Sequence, residues 1–290
     1  MLIKTRSSIR KATTNDLQKL ANLIHFEAHI HRHLDYRPPL DWVGEEPFLV
    51  LEQNDSIIAA LACPPDPPQV AWIRLFAAAS RVQTSHAWET LWAEAAANLQ
   101  AAPQPCWLAA IPMQKWFEDL LVKSSLEYTH SITMLNWDSQ PLPEPPADTG
   151  CNLRPMTFDD LPEVQRVDQA SFSPIWQNSR PCLELAFRQA SIATVIEKDG
   201  RLVGYQISSP TPIGGHLARL AVRPEQRGHG IGYQLLHDLL TQFIRRGAQT
   251  ITVNTQKDNI ASLALYERAG FEFTGEEYPV FKMDISPDPR

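Results

Sequence analysis

The densest chemistry in the chain lies in six consecutive residues, Arg227-Gly228-His229-Gly230-Ile231-Gly232. Glycine lacks a Cβ atom and enters positive φ freely, so a glycine-rich turn can aim several backbone N–H groups at one anion. Behind the turn, Ile231, Leu235, Leu236, Leu239, Leu240, Phe243 and Ile244 recur at helical spacing and predict an amphipathic helix. The start of such a helix carries about half a positive charge. Arg223 and Arg227 are placed to add charge-assisted contacts. The assembly suits a diphosphate. It is not a Walker loop, which ends in Gly-Lys-Ser/Thr. Nor is it a dinucleotide fingerprint, because the glycines are spaced G-x-G-x-G and the next strand ends in Asn254 where that motif places an acid.

The elements that must position this loop are legible on either side of it. "HLARLAV" (from His216) reads as a strand entering the turn, and Arg245-Arg246-Gly247 ends the helix. "TITVN" is a further strand, "NIASLALYERAG" a helix closed by Gly270, and "FEFTGEEYPVFKMDI" two closing strands. Upstream, "LRPMTFDDL" predicts a short strand and a helix capped at or near Thr157. "ATVIEKDGRLVGYQISS" alternates around Asp199-Gly200, which signals a hairpin.

The same pattern is written earlier in the chain. "IRKATTNDLQKLANLI" from Ile9 parallels "LRPMTFDDLPEVQRVD" from Leu153, and "VLEQNDSIIAA" from Val50 parallels "VIEKDGRLVGY" from Val195. Arg74-Leu75 matches Arg219-Leu220, and "LEYT" at Leu126 matches "FEFT" at Phe271, all near one offset of half the chain. The repeat predicts two domains, residues 1–140 and 151–290. They are joined by a proline-rich linker, 141–150, inside "DSQPLPEPPADTG".

Composition bounds the function. The chain has 290 residues, 43% hydrophobic and 20% charged, with a net charge of −7, ordinary values for a globular protein. No basic half or basic-aromatic surface suggests nucleic acid as a partner, and no apolar run suggests a membrane. Cys63, Cys106, Cys151 and Cys182 lie far apart and read as reduced thiols, which fits a cytoplasmic location. His25, His29, His31 and His33 crowd one segment, but no carboxylate or cysteine cluster answers them elsewhere. We expect a polar helix end there and no metal.

Arg227-x-x-Gly230-x-Gly232, preceded by "LAVRPE" and followed by Asn254, Asn259 and Tyr266-Glu-Arg-Ala-Gly270-Phe271, resembles the acetyl-CoA loop of the GNAT superfamily of N-acetyltransferases. The resemblance covers residues 153–285. It implies an α/β fold with a mixed sheet (α+β) and, with the repeat, two tandem GNAT-like acyl-CoA N-acyltransferase domains. It further implies acetyl-CoA as cosubstrate and direct transfer of the acetyl group to a primary amine, on a small molecule or a peptide N-terminus. In such a site Leu220, Ala221 and Val222 hydrogen-bond the pantetheine arm, the amides from Arg227 through Gly228, His229, Gly230 and Ile231 to Gly232 hold the diphosphate, and Asn254 and Asn259 contact the cofactor. Tyr266 is the candidate general acid for the departing thiolate. No base is assigned, although His216 and Glu184 are available. "FSPIW" resembles the acceptor-side loop of ribosomal-protein N-terminal acetyltransferases, which makes Phe172 and Trp176 candidate acceptor contacts.

Shifted back by 145, the motif is gone. Arg227 becomes Val82, Gly228 becomes Gln83, Gly230 becomes Ser85, Asn259 becomes Gln114 and Tyr266 becomes Leu121. The first copy is therefore expected to bind no acetyl-CoA and to pack on the second as a pseudo-dimer partner. The different-class alternative is a CoA-binding sensor that has kept the loop and lost turnover.

Overall fold

The computed structural model describes residues 7–138 and 140–286. Two compact units form. One holds residues up to Thr129 together with those from Pro279 onward, and the other holds His130–Tyr278. The first contains, in order, β1 (Ser8–Lys11), α1 (Leu17–Phe26), β2 (His29–Arg32), β3 (Phe48–Gln53), β4 (Ser56–Ala62), β5 (Val70–Trp72), β6 (Leu75–Ala78), α2 (Thr84–Gln100), β7 (Cys106–Ala110) and α3 (Lys115–Lys123). Strand β8 (Glu127–Asp138) leads into the second unit. That unit continues with β9 (Asn152–Pro155), α4 (Leu161–Ser171), α5 (Arg180–Gln189), β10 (Ile192–Lys198), β11 (Arg201–Thr211), β12 (Gly214–Val222), α6 (Ile231–Arg245), β13 (Thr250–Gln256) and α7 (Ile260–Arg268). Strand β14 (Glu272–Ile285) starts in the second unit and ends in the first.

The units do not follow the boundary drawn at 141–150, because each is completed by a strand from the other half of the sequence. In the first unit β7 pairs with β5 on one side and with Phe281–Ile285 of β14 on the other. In the second, β13 pairs with Ile132–Asp138 of β8. The closing segment is one continuous strand, where two were expected. The proline-rich stretch takes no regular structure but is docked: the Tyr233 hydroxyl donates to the Glu144 carbonyl at 2.8 Å.

Both units are built on one plan, down to individual ion pairs. Arg10 donates to Asp16 and Glu52, and Arg154 donates to Asp160 and Glu197. Each arginine holds its aspartate below the usual carboxylate range, Asp160 at about 2. Thr13 and Thr157 each open their helical segment with a capping box. The two hairpin turns, Asn54-Asp55 and Asp199-Gly200, have both central residues at positive φ, as a two-residue hairpin of the right twist requires. Ser125 adopts the same positive φ after α3 that Gly270 adopts after α7. Helix α6 buries Ile231, Leu235, Leu236, Leu239, Leu240 and Phe243 against the second unit's sheet, as its spacing predicts.

The sheets differ at one place. In the second unit the order is β9-β10-β11-β12-β13-β8, yet β12 pairs with β13 only from Gly214↔Thr250 to Leu217↔Val253. Beyond Leu217 the two strands part. In the first unit the split is complete, and β5 and β6 are separate strands. There β2 fills the parted edge, pairing antiparallel with β6 from His29↔Ala78 to Arg32↔Leu75. The histidine segment is thus a strand, which corrects the expected polar helix end: α1 stops at Phe26. His31 is buried with Nε2 against the Ile73 carbonyl at 3.1 Å, and burial lowers its pKa to about 4. His33 stacks on Trp72. His31 is thus a core residue on the outer strand of its sheet, and His33 is partly buried beside it.

Among the described residues no helix is long and apolar enough to cross a membrane, and no three metal-ligating side chains converge. The four cysteines are unpaired thiols.

Candidate functional site

The chain leaves β12 at Val222, makes one 3-10 turn over Pro224–Gln226, and enters α6 through the glycine loop. Gly228 and Gly230 both have φ of +80°, and Gly230 is the helix N-cap. A side chain at either would carry left-handed strain of about 1–2 kcal/mol. Gly232, expected to contribute the same freedom, is an ordinary helical residue packed toward Leu265 and Val222. The first bond of the helical ladder runs from the Gln234 N–H to the Gly230 carbonyl at 3.0 Å. The amides of Ile231, Gly232 and Tyr233 therefore precede the ladder and face out of the helix start. With the helix dipole behind them they form an anion receptor.

The two arginines are used differently from the expectation. Arg227 donates from Nε to the Val222 carbonyl at 3.1 Å and from Nη2 to the Ser171 carbonyl at 3.0 Å. Arg223 donates to the Leu202 carbonyl and to Glu163. Both guanidinium groups brace the loop against neighbouring backbone, because a turn with two residues in left-handed geometry leaves carbonyls nearby that need donors. His229 is exposed beside them.

Leu220, Ala221 and Val222 lie on β12 just past the point where it leaves β13. Their other edge pairs with Gln206, Tyr205 and Gly204. A β-bulge between Ile207 and Ser208 on β11, opposite the Leu217–Arg219 stretch, marks the divergence. Among the described residues no strand pairs with the parted edge of Leu220–Val222. The Arg223 N–H donates to the Val203 carbonyl of β11, so by strand alternation the groups of Ala221 face β11 and those of Leu220 and Val222 face the parted edge. The Val222 carbonyl already accepts from Ser171 Oγ at 3.2 Å and from Arg227. An extended amide-bearing chain fits such an edge as an added strand would.

Tyr266 projects from α7 into the apolar cluster of α6, β13 and Phe271. Burial pushes its phenol well above the usual range, so it stays protonated at neutral pH and keeps a proton to donate. Asn259 is the N-cap of α7, its Oδ1 accepting from the Ser262 N–H at 3.2 Å. Asn254 is exposed on β13 past the divergence and hydrogen-bonds His216. His216 also meets Thr252 Oγ1 at 2.9 Å, and burial lowers its pKa, leaving a neutral ring. Glu184 is tied to Arg180 at 2.8 Å.

Phe172 and Trp176 belong to a segment between α4 and α5 whose anchor the sequence reading missed. Asp168 on α4 is fully buried. Its Oδ2 accepts from the Tyr205 hydroxyl at 2.5 Å and from Arg219 Nε at 2.8 Å, and its Oδ1 accepts from the Asn178 N–H at 2.9 Å. Arg219 also donates to the Trp176 carbonyl and lies 3.6 Å over the Phe172 ring. His130 meets Trp176 edge-on at 5.7 Å. Burial raises the pKa of the Tyr205 hydroxyl well above its ordinary value, and the neighbouring Asp168 raises it further. The one available signal was the Arg74-Leu75/Arg219-Leu220 repeat, which marks an arginine placed alike in both units. Replacing Tyr205 by Phe removes one donor from a buried anion, and we expect a stability loss of about 1–3 kcal/mol, read by urea titration. An unchanged midpoint would mean that Arg219 and Asn178 suffice.

A strand parted from its neighbour, beside a glycine-turned helix start, in a mixed sheet written twice along the chain: this is the acyl-CoA N-acyltransferase fold in tandem. Residues 158–271 match the Acetyltransferase (GNAT) family. The chain is 25% identical over 112 residues to the ribosomal protein bS18-alanine N-acetyltransferase of Escherichia coli, covering 39% of this chain and 74% of that protein. The fold is also that of a GCN5-related N-acetyltransferase from Sphaerobacter thermophilus (TM-score 0.63, 16% identity, 97% of this chain and 96% of that one). A tandem GNAT protein from the clavulanic acid biosynthesis pathway shares it (TM-score 0.65, 15% identity, 98% and 100%).

Proposed function

We propose that this protein is an acetyl-CoA-dependent N-acetyltransferase with one active site, in residues 151–290, acting on a primary amine of a small molecule or a peptide N-terminus. The observation that carries the reading is the open edge of Leu220–Val222 lying beside the free amides that start α6. One suits an extended arm and the other its diphosphate. The bS18-alanine relative, named for acetylating a protein's alanine, supports an amine acceptor. In sequence, residues 1–140 carry the copy without the motif and 141–150 the linker, with β8 and the end of β14 exchanged between the folded units; the covered edge of β6 supports a first copy that takes no cofactor.

Acetyl-CoA supplies an activated acetyl thioester, which an amine can attack without help from an enzyme nucleophile. What the chain contributes is placement and charge. The α6 amides bind the diphosphate, the strand Leu220–Val222 orients the arm through the edge-facing backbone groups of Leu220 and Val222, and Phe172 and Trp176 wall the acceptor side. Tyr266 holds a proton for the departing sulfur. No metal is required. Unpaired cysteines and this cosubstrate support a cytoplasmic location.

Isothermal titration with acetyl-CoA, with a thiol-release assay over a panel of primary amines, tests the reading. Binding with release supports the enzyme. Binding with no release from any amine favours the sensor, and no binding refutes both. In the same assays Tyr266→Phe should lower turnover about 100-fold, the scale of a lost proton donor, with cofactor affinity changed less than about threefold. An unaltered rate removes Tyr266 from the chemistry.

A further inference from the structure

The two units give different answers to one local question: what lies on the parted strand edge. In the first unit, the chain that follows α1 falls onto β6 as strand β2 and covers the edge. In the second, the chain that follows α4 stays away from the corresponding residues, Leu220–Val222, and folds instead into a 3-10 turn at Pro174–Trp176. The helices leading in are matched residue for residue. The pairs Asp16/Asp160, Leu20/Val164 and Leu23/Val167 share one offset, and the last two pairs are buried alike.

At the next position they diverge, with Ile24 in the first unit and Asp168 in the second. Ile24 packs against the first unit's apolar core. Asp168 is buried with Arg219, and between them they grip the following segment at three points. Asp168 takes the Asn178 N–H, and Arg219 takes the Trp176 carbonyl and the Phe172 ring. A fourth tie, from Arg227 to the Ser171 carbonyl, fixes the start of the segment to the glycine loop.

We propose that the Asp168–Arg219 pair holds the Phe172–Asn178 segment off the edge of Leu220–Val222 and so keeps the second unit's groove open to its ligand. The pair is a positioning device. Its charges act on the loop, and the loop decides whether the edge is free. The proposal rests on the acetyl-CoA reading only for the identity of the ligand.

The test replaces the whole network by apolar side chains of similar volume, Asp168→Ile with Tyr205→Phe and Arg219→Met, so that no buried charge or hydroxyl is left unpaired and folding is preserved. Hydrogen–deuterium exchange is followed in peptides covering 172–178 and 217–223, and acetyl-CoA binding by calorimetry. We expect exchange at 217–223 to slow at least tenfold as the segment covers the edge, and affinity to fall at least tenfold. A folded variant with exchange unaltered in both peptides overturns the proposal. So does faster exchange at 172–178 alone, since the loop would then move without closing the edge. Should the triple variant not fold, Arg219→Lys decides. It keeps the charge and loses the fork, and should show the same changes at smaller amplitude, while wild-type exchange there overturns the proposal. If the wild type binds no acetyl-CoA, the functional reading fails and the exchange experiment still judges the pair.

Discussion

Deleting residues 279–290 should unfold the first unit, although the deletion begins 150 positions beyond the rest of that unit in sequence. Strand β7 would lose its partner from Phe281↔Ala110 to Ile285↔Cys106, which leaves an interior strand with a bare edge. Val280, Phe281 and Ile285, all buried, would be removed with it. At about 1.5–3 kcal/mol for each buried apolar side chain, the loss is roughly 5–9 kcal/mol before the ladder's hydrogen bonds are considered. That is the size of a whole domain's stability, about 5–15 kcal/mol. Thermal denaturation followed by circular dichroism should show one cooperative transition missing from the truncated chain. Phe281→Ala should give a partial effect of about 3–5 kcal/mol. Melting identical to the full chain would mean that the exchanged strand is dispensable. For the same reason residues 1–145, cut at the apparent midpoint, are a poor test of what the first copy binds, because that fragment carries β8 and lacks the strand that completes β7.

Gly230→Asp should abolish acetyl-CoA binding. The residue is the N-cap of α6 at φ +80°, so any side chain carries strain, and a carboxylate there sits at the amides that would receive the diphosphate. Strain alone, as in Gly230→Ala, costs about 1–2 kcal/mol of stability and is carried by the free protein as well as the bound one, so it should change affinity little. The added like charge in Gly230→Asp should take the loss beyond about a hundredfold, toward no measurable heat. Titration of the wild type should give one site per chain, since β2 covers the matching edge in the first unit. A stoichiometry of two would show that the first copy binds after all. Unchanged affinity in Gly230→Asp would refute the loop as the phosphate site.

Much of the second unit was legible without coordinates. Positive φ at Gly228 and Gly230, the stripe on α6, the Asp199-Gly200 turn and the capping box at Thr157 are all local events, set by one residue's sterics or by neighbours within a few positions. The duplication was legible because it is a property of the string. The loop's arginines were not. A guanidinium near a phosphate loop reads as a phosphate ligand until the structure shows backbone carbonyls within 3.1 Å of it. The histidine segment was misjudged because alternating His29 and His31 can end a helix or form a strand, and only the empty edge of β6 selects the strand.

The amino-acid order by itself determined that one fold is encoded twice and that only the second copy carries a glycine turn able to receive an anion, because both rest on residue identity and short-range backbone preference. Tertiary structure alone decided which strand completes which unit, which edge is covered, and that a carboxylate on α4 and an arginine on β12 hold the segment beside the groove. Those outcomes come from pairings between residues up to more than 150 positions apart, where burial and hydrogen-bond satisfaction choose among partners that local sequence leaves equivalent.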